Sequence, residues 1–124
     1  MSNPIVDKSF SFAVKIVLLA RSIRDDREYE LARQILRCGT SIGANVAEAQ
    51  KAQSDRDFLA KMYISYKEAS ETEYWIRLLH ATKIISDNEY QDIIKDVKEL
   101  LKILSSITKS TEEKLEIGLK KDLP

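Results

Sequence analysis

Punctuation is scarce in this chain, and that scarcity limits its folds more than any motif does. The 124 residues contain 3 glycines and 2 prolines, and the prolines, Pro4 and Pro124, stand at the ends. A fold of many short strands needs a turn residue every few positions. Long helices joined by short turns need few, so the chain reads as all-α. Its length suits one domain and buries roughly two-thirds of the surface that the unfolded chain exposes.

Apolar spacing divides the chain into four helices. The first is expected from about Pro4 to Arg24, with Asn3 and Pro4 as N-cap and first-turn residue. It carries two apolar lines, Val6–Phe10–Ala13–Val17 and Phe12–Ile16–Leu19–Ile23, while Lys8, Ser11, Lys15 and Ser22 share one polar stripe. A bundle helix in a monomer usually shows a single apolar stripe. Two lines imply either a second subunit on the far side or a central position in one bundle; a homo-oligomer is the expectation here.

After the turn "RDDREYE", the second helix is expected over about Glu28–Ala52, with Leu31, Ile35, Cys38, Ile42, Val46 and Ala49 inward. "SDRD" restarts the chain, with Ser54 as N-cap and Asp57 placed for a capping box. Phe58, Met62, Ala69, Ile76 and Leu79 carry the third helix to about Thr82. "SDNE" at 86–89 is a cleaner capping box, and Tyr90, Ile93, Val97, Leu100, Leu104 and Ile107 form a heptad line ending near Lys109. Short turns make successive helices antiparallel neighbours, so residues 1–109 predict an up-down-up-down four-helix bundle. The segment 110–124, with Leu115, Ile117, Leu119 and Leu123 among charges, reads as a mobile tail or as an arm docked on a neighbour.

Twenty basic and twenty acidic side chains cancel, so no global field draws the chain to nucleic acid or membrane. The most apolar stretch, "FAVKIVLLA", is interrupted by Lys15 and falls short of the ~20 residues of a membrane span. The N-terminus lacks the pattern of a secretory leader. Cys38, the one cysteine, has no partner for an intramolecular disulfide. These features predict a cytoplasmic protein with no membrane partner.

The stretch "CGTSIGANVAEA" at 38–49 tests for a phosphate cradle and fails. A P-loop needs G-x-x-x-x-G-K-[S/T] and a dinucleotide loop needs G-x-G-x-x-G; neither occurs. Gly39, Gly43 and Ala47 instead share one helical face, where something approaches closely. Trp75, Tyr74 or an aromatic of the first helix is the expected occupant, with a local helix break as the alternative.

Catalytic chemistry finds little support. A ferritin-like metal site needs Glu-x-x-His on two helices, and the chain has one histidine, His80. Glu48, Glu68 and Glu71 could meet only as an all-carboxylate site. Cys38 has core spacing, and His80 lies near the end of the third helix. No enzyme activity and no cofactor or metal are expected. Asn45 and Glu48, one turn apart, read as a polar pair bonding Arg37, Ser41 or the third helix, or as a partner contact. Five of the seven arginines, Arg21, Arg24, Arg27, Arg33 and Arg37, fall at one end of the first helical hairpin. Asp25, Asp26, Glu28 and Glu30 are interleaved with them, so the end is either a nucleic-acid site or a solvated charged rim.

"RCGTSIGANVAEA" resembles the signature of the bacterial four-helix-bundle proteins encoded in intervening sequences of 23S rRNA genes. Arg37, Ser41, Ile42, Gly43, Ala44, Asn45, Val46, Ala47 and Glu48 match it, and Ala49 replaces a usual glycine. "FLAKMYISYKEASETEYWIRLL" resembles the family's third helix, including Glu68, Glu71, Tyr74 and Trp75. The resemblance spans about residues 5–108. It implies an antiparallel bundle assembled as a pentameric ring and no known reaction. Related accessory proteins of diversity-generating retroelements work with a reverse transcriptase and nucleic acid. The expected function is therefore a non-catalytic oligomeric scaffold or adaptor associated with RNA or a nucleoprotein. The alternative is a protein-only assembly module, with a carboxylate-bridged metal enzyme a distant third.

Overall fold

A computed structural model describes residues 3–121. Four helices account for nearly all of them: α1 (Pro4–Asp25), α2 (Tyr29–Ala49), α3 (Asp55–Ala81) and α4 (Asp87–Lys121). Each packs against the next in sequence, and α1 returns to meet α4 less extensively. Among the described residues no α1–α3 or α2–α4 pair brings its backbones as close as adjacent helices do, so the helices stand at the corners of a square. This is the up-down-up-down bundle that the short turns implied.

The core lies along the axis of the square. Phe12, Ile16 and Ile23 of α1 face Ile35, Ile42 and Val46 of α2, Met62, Ile76 and Leu79 of α3, and Val97, Leu100 and Leu104 of α4. Every one of these follows the 3–4 residue spacing of a helix face. Among the described residues no buried side-chain oxygen or nitrogen lacks a partner, and Ser65 Oγ donates to the Ile42 carbonyl at 2.9 Å, tying α3 to α2.

Helix ends follow local chemistry, with two departures from expectation. At Ser86 the capping box closes in both directions, Glu89 N–H to Ser86 Oγ at 3.1 Å and Ser86 N–H to Glu89 Oε1 at 2.9 Å. At Ser54 the box is offset. Asp57 N–H donates to Ser54 Oγ at 3.1 Å, but the Asp57 carboxylate accepts from Gln53, one residue further back. Asn3 holds the N-cap position of α1 without capping it, because its amide donates across to Gln50 Oε1 at 3.2 Å.

The α1–α2 and α3–α4 turns stop without glycine. Arg27 and Lys83 adopt left-handed φ values of 69° and 64°. In each turn the next residue's N–H reaches back five positions, Glu28 to Ile23 at 3.1 Å and Ile84 to Leu79 at 2.9 Å, which is the Schellman closure. His80 reinforces the second turn, stacking on Tyr90 at 3.9 Å and bonding Asp87 Oδ1 at 2.7 Å.

Two boundaries differ from the sequence reading. Helix α2 ends at Ala49, and residues 50–53 form the turn, not the last helical turn of an element reaching Ala52. Helix α4 does not stop near Lys109: it continues unbroken to Lys121, so the bundle has no separate tail from residue 110 within the described residues. No proline interrupts it, and the extension has something to lean on. Lys114 pairs with Asp55 at 3.2 Å, while Leu115 and Leu119 face Leu59 and Tyr63 of α3 across a shallow groove. Leu123, which the sequence reading placed in the tail, lies outside the described residues.

Candidate assembly and nucleic-acid surface

The α1–α2 hairpin is held together by an unusually close helix approach. A Cβ on Gly39 would stand 2.7 Å from Ile16 Cγ2, and one on Gly43 would stand 3.2 Å from the Ser9 carbonyl oxygen. The glycine face therefore admits α1 itself, an aliphatic side chain and a stretch of backbone. Trp75 and Tyr74, expected there, lie elsewhere, and helix α2 runs through without a break.

Close packing on that line turns the rest of α1 outward. Phe12, Ile16, Leu19 and Ile23 are buried, whereas of the other expected line only Phe10 is exposed, Val6, Ala13 and Val17 being half-buried; the uncovered residues are instead Phe10, Val14 and Leu18. Phe10 is 69% exposed and Leu18 58%, with Val14 also exposed between them. Val6, Phe10 and Ala13 meet Thr40, Gly43, Ala44 and Ala47 of α2 around an apolar hollow of about 270 Å³. Toward the turn, a larger pocket of about 660 Å³ is lined by Val17, Ala20, Arg21 and Arg24 of α1 and by Tyr29, Ala32, Arg33 and Leu36 of α2.

This geometry sorts the five arginines. Arg21, Arg24 and Arg33 share the larger pocket, with Arg33 also bonded to Glu30 at 3.1 Å. Among the described residues Arg21, Arg24 and Arg27 make no ion pair. Arg27 stands in the turn, exposed. Arg37 leaves the group: it reaches α3, bonding Glu71 and, at 3.3 Å, Glu68. Gln34 Oε1 and the Trp75 indole N–H, which donates to Glu71 at 3.1 Å, complete that network. Burial works to lower the Arg37 pKa, and the Glu71 and Glu68 charges outweigh it, so the group is held above its ordinary value.

The remaining signature residues serve the fold. Ser41 Oγ donates to the Arg37 carbonyl at 2.7 Å, and Asn45 Nδ2 to the Ser41 carbonyl at 2.9 Å. Glu48 pairs with Lys61 of α3 at 3.3 Å. Asn45 and Glu48 thus bond Ser41 and the third helix, two of the three expected partners, and neither bonds Arg37. Ile42 is fully buried, and Ala47 is exposed beside the smaller hollow. Tyr74 is exposed and meets Trp75 edge-on at 5.3 Å. Burial raises the Cys38 thiol pKa above its ordinary value and leaves it a core side chain. Glu68 and Glu71 converge on a guanidinium and Glu48 on an ammonium. Among the described residues no three His, Cys, Asp or Glu side chains gather as a metal site. No described helix is long and apolar enough to cross a membrane.

Sequence reasoning missed Tyr29 and Leu36 as surface residues. The signal was present: Tyr29, Arg33 and Leu36 recur at helical spacing on the side of α2 away from Ile35 and Ile42. It also missed the α1–α4 seam, where Lys15 bonds Asp96 at 2.7 Å and Asp92 at 3.2 Å, and Lys8 pairs with Glu99.

Two comparisons place this arrangement among known proteins. The model of the 23S rRNA-intervening sequence protein family matches residues 1–106. A solved structure from Bacteroides thetaiotaomicron VPI-5482, described as a protein of unknown function from the S23 ribosomal protein family, is similar in both sequence and fold. It is 48% identical, with a TM-score of 0.82 over 85% of this chain and 98% of the other. No curated protein matches the chain. The family match stops at residue 106, so the last turns of α4 extend beyond it. With its signature on α2, its partner residues on α3 and the shared bundle, the chain belongs to the 23S rRNA-intervening sequence protein family.

Proposed function

We propose that the protein is a non-catalytic homo-oligomeric scaffold, in the cytoplasm, that associates with RNA or a nucleoprotein. The observation that carries this reading is the uncovered apolar line of α1, Phe10–Val14–Leu18, running toward the pocket edged by Arg21, Arg24 and Arg33. Contiguous exposed apolar surface rimmed by polar groups is characteristic of subunit interfaces. A pentameric ring built on it would repeat the arginines around an axis and add their fields, which offsets the zero net charge.

A protein-only assembly module is the second reading. It is favoured by the carboxylates of Asp25, Asp26, Glu28 and Glu30 along the same hairpin end, one of which already engages Arg33.

Light scattering coupled to size exclusion, and RNA binding at several salt concentrations, test the two parts separately. A homo-oligomer is expected, and Phe10→Asp should reduce its mass. RNA binding should weaken steeply with salt, and Arg24→Ser with Arg33→Ser should lower the salt slope by roughly one to two units. A monomer at micromolar concentration overturns the assembly. An oligomer that binds no RNA even at low salt leaves the protein-only module.

A further inference from the structure

The larger α1–α2 pocket has a composition that phosphate contacts alone do not require. Arginines on a convex rim suffice to hold a nucleic-acid backbone. Here they border a depression of about 660 Å³, within the usual 300–1,000 Å³ range of ligand sites, floored by Val17, Ala20, Ala32 and Leu36. Tyr29 stands at this depression as the first residue of α2, 59% exposed. An aromatic ring left in water beside an apolar floor and cationic groups is a stacking platform.

We propose that the Tyr29 pocket receives an unpaired nucleobase, so that the protein holds single-stranded RNA in preference to a double helix. The proposal rests on the RNA-associated reading above and specifies its ligand. In a duplex the base faces are occupied by stacking, and an A-form helix offers proteins mainly its backbone and shallow groove. In a single strand each base can leave its neighbours and stack on an aromatic ring, and the flanking phosphates then lie within reach of rim guanidiniums. The pocket supplies both parts. Tyr29, Arg33 and Leu36 follow one another at i, i+4 and i+7 along α2, while Val17, Ala20, Arg21 and Arg24 stand at i, i+3, i+4 and i+7 on the antiparallel α1. Arginine suits this place because its planar guanidinium both pairs with phosphate and stacks on bases.

Charge placement favours the same ligand. Asp25, Asp26, Glu28 and Glu30 belong to the same hairpin end, but none of the four lines the pocket. Arg33 is held by Glu30, so Arg21 and Arg24 are the rim cations with no ion-pair partner among the described residues. Few free cations imply modest affinity and a correspondingly large share for stacking. An apolar side chain of a second subunit would also suit the floor, and the sizing of Tyr29→Ala below distinguishes it.

The test measures fluorescence anisotropy of a labelled oligoadenylate and of a labelled RNA duplex of equal length, at low and at physiological salt. The proteins are the full chain, Tyr29→Ala and Tyr29→Phe, each also sized by light scattering. The expected result is tighter binding of the single strand. Tyr29→Ala should weaken it roughly 5- to 100-fold with the salt slope unchanged, and Tyr29→Phe should bind as the natural protein does. Equal affinity for strand and duplex, with Tyr29→Ala unaffected, overturns the base pocket and leaves the arginine–phosphate reading standing. No RNA binding at low salt overturns both. Loss of the oligomer in Tyr29→Ala makes the pocket a subunit seam and also overturns the proposal.

Discussion

Gly39 of α2 has no room for even one methyl group, because its Cβ would fall 2.7 Å from Ile16 Cγ2 of α1. Ile16 is fully buried. Gly43, one turn on, faces the Ser9 backbone, which cannot rotate aside. Gly39→Val and Gly43→Leu should therefore destabilise the bundle by roughly 1–3 kcal/mol or more through overpacking. Gly118, with nothing within 4 Å of its would-be Cβ, is the control of opposite sign. Gly118→Ala should be neutral or stabilise by up to ~1 kcal/mol through helix propensity. Denaturant melts of the three variants check this, and equal behaviour at all three sites would remove the close-approach account.

The second expectation concerns Lys83, whose φ of 64° puts a side-chain-bearing residue in the left-handed region. That conformation costs roughly 1–2 kcal/mol for a residue with a Cβ. Lys83→Gly relieves it, against the greater backbone entropy that glycine loses on folding. The net gain should be roughly 0.5–1 kcal/mol, read as a rise of a few degrees in Tm. Lys83→Ala should not share it.

Arg37 separates a structural arginine from the pocket arginines. Its guanidinium engages Glu68 and Glu71, which stand one turn apart and repel when it is gone. The Arg37 side chain is 48% exposed, so the coupling measured by a double-mutant cycle between Arg37→Met and Glu68→Gln should be only ~1 kcal/mol or less. Arg37→Met should lower stability while leaving the salt slope of RNA binding unchanged, unlike the change at Arg24 and Arg33. A reduced slope in Arg37→Met would return it to the binding surface.

The α1–α4 seam should be sensitive to alkali. Hydrogen bonding to Asp96, against a smaller cost of burial, holds the Lys15 pKa above its ordinary 10.5, and Glu99 does the same for Lys8. A lysine with a raised folded-state pKa binds its proton more tightly folded than unfolded. Its stabilisation is fully present below pH 10.5 and is lost as pH climbs through the higher folded value. The buried Cys38 thiol, raised above 9.0, adds a loss of the same sign beginning nearer that pH. Stability should therefore fall on the alkaline side. In Lys15→Gln the portion above pH 10.5 should be shallower, and a profile identical to that of the natural protein would show that the seam is not responsible.

How much was legible in the sequence depended on whether the cause was local. Helix existence, the inward faces and the Ser86 box follow from spacing and from side chains a few residues apart, so they could be read directly. The continuation of α4 to Lys121 was not read, because its heptad line ends at Ile107; beyond it the helix lies along Asp55, Leu59 and Tyr63 of α3. The turns themselves were placed, but their left-handed residues Arg27 and Lys83 were not, since the surrounding closure holds a residue with a side chain in the left-handed region.

The candidate surface divides in the same way. Alone, the sequence determined that α1 has two apolar lines and that five arginines cluster near one hairpin, because both are counts along a helix. Only tertiary packing decided which apolar residues stay outside, namely Phe10, Val14 and Leu18, of which only Phe10 belongs to either expected line. The Gly39–Ile16 approach rotates α1 so that Phe12 enters the core and Phe10 is left in water. Packing also decided that Arg37 turns to the carboxylates of α3 while Arg21, Arg24 and Arg33 gather around Tyr29. Periodicity defines a residue's angle about its own helix axis; which neighbour that angle meets depends on how closely two helices approach and at what rotation.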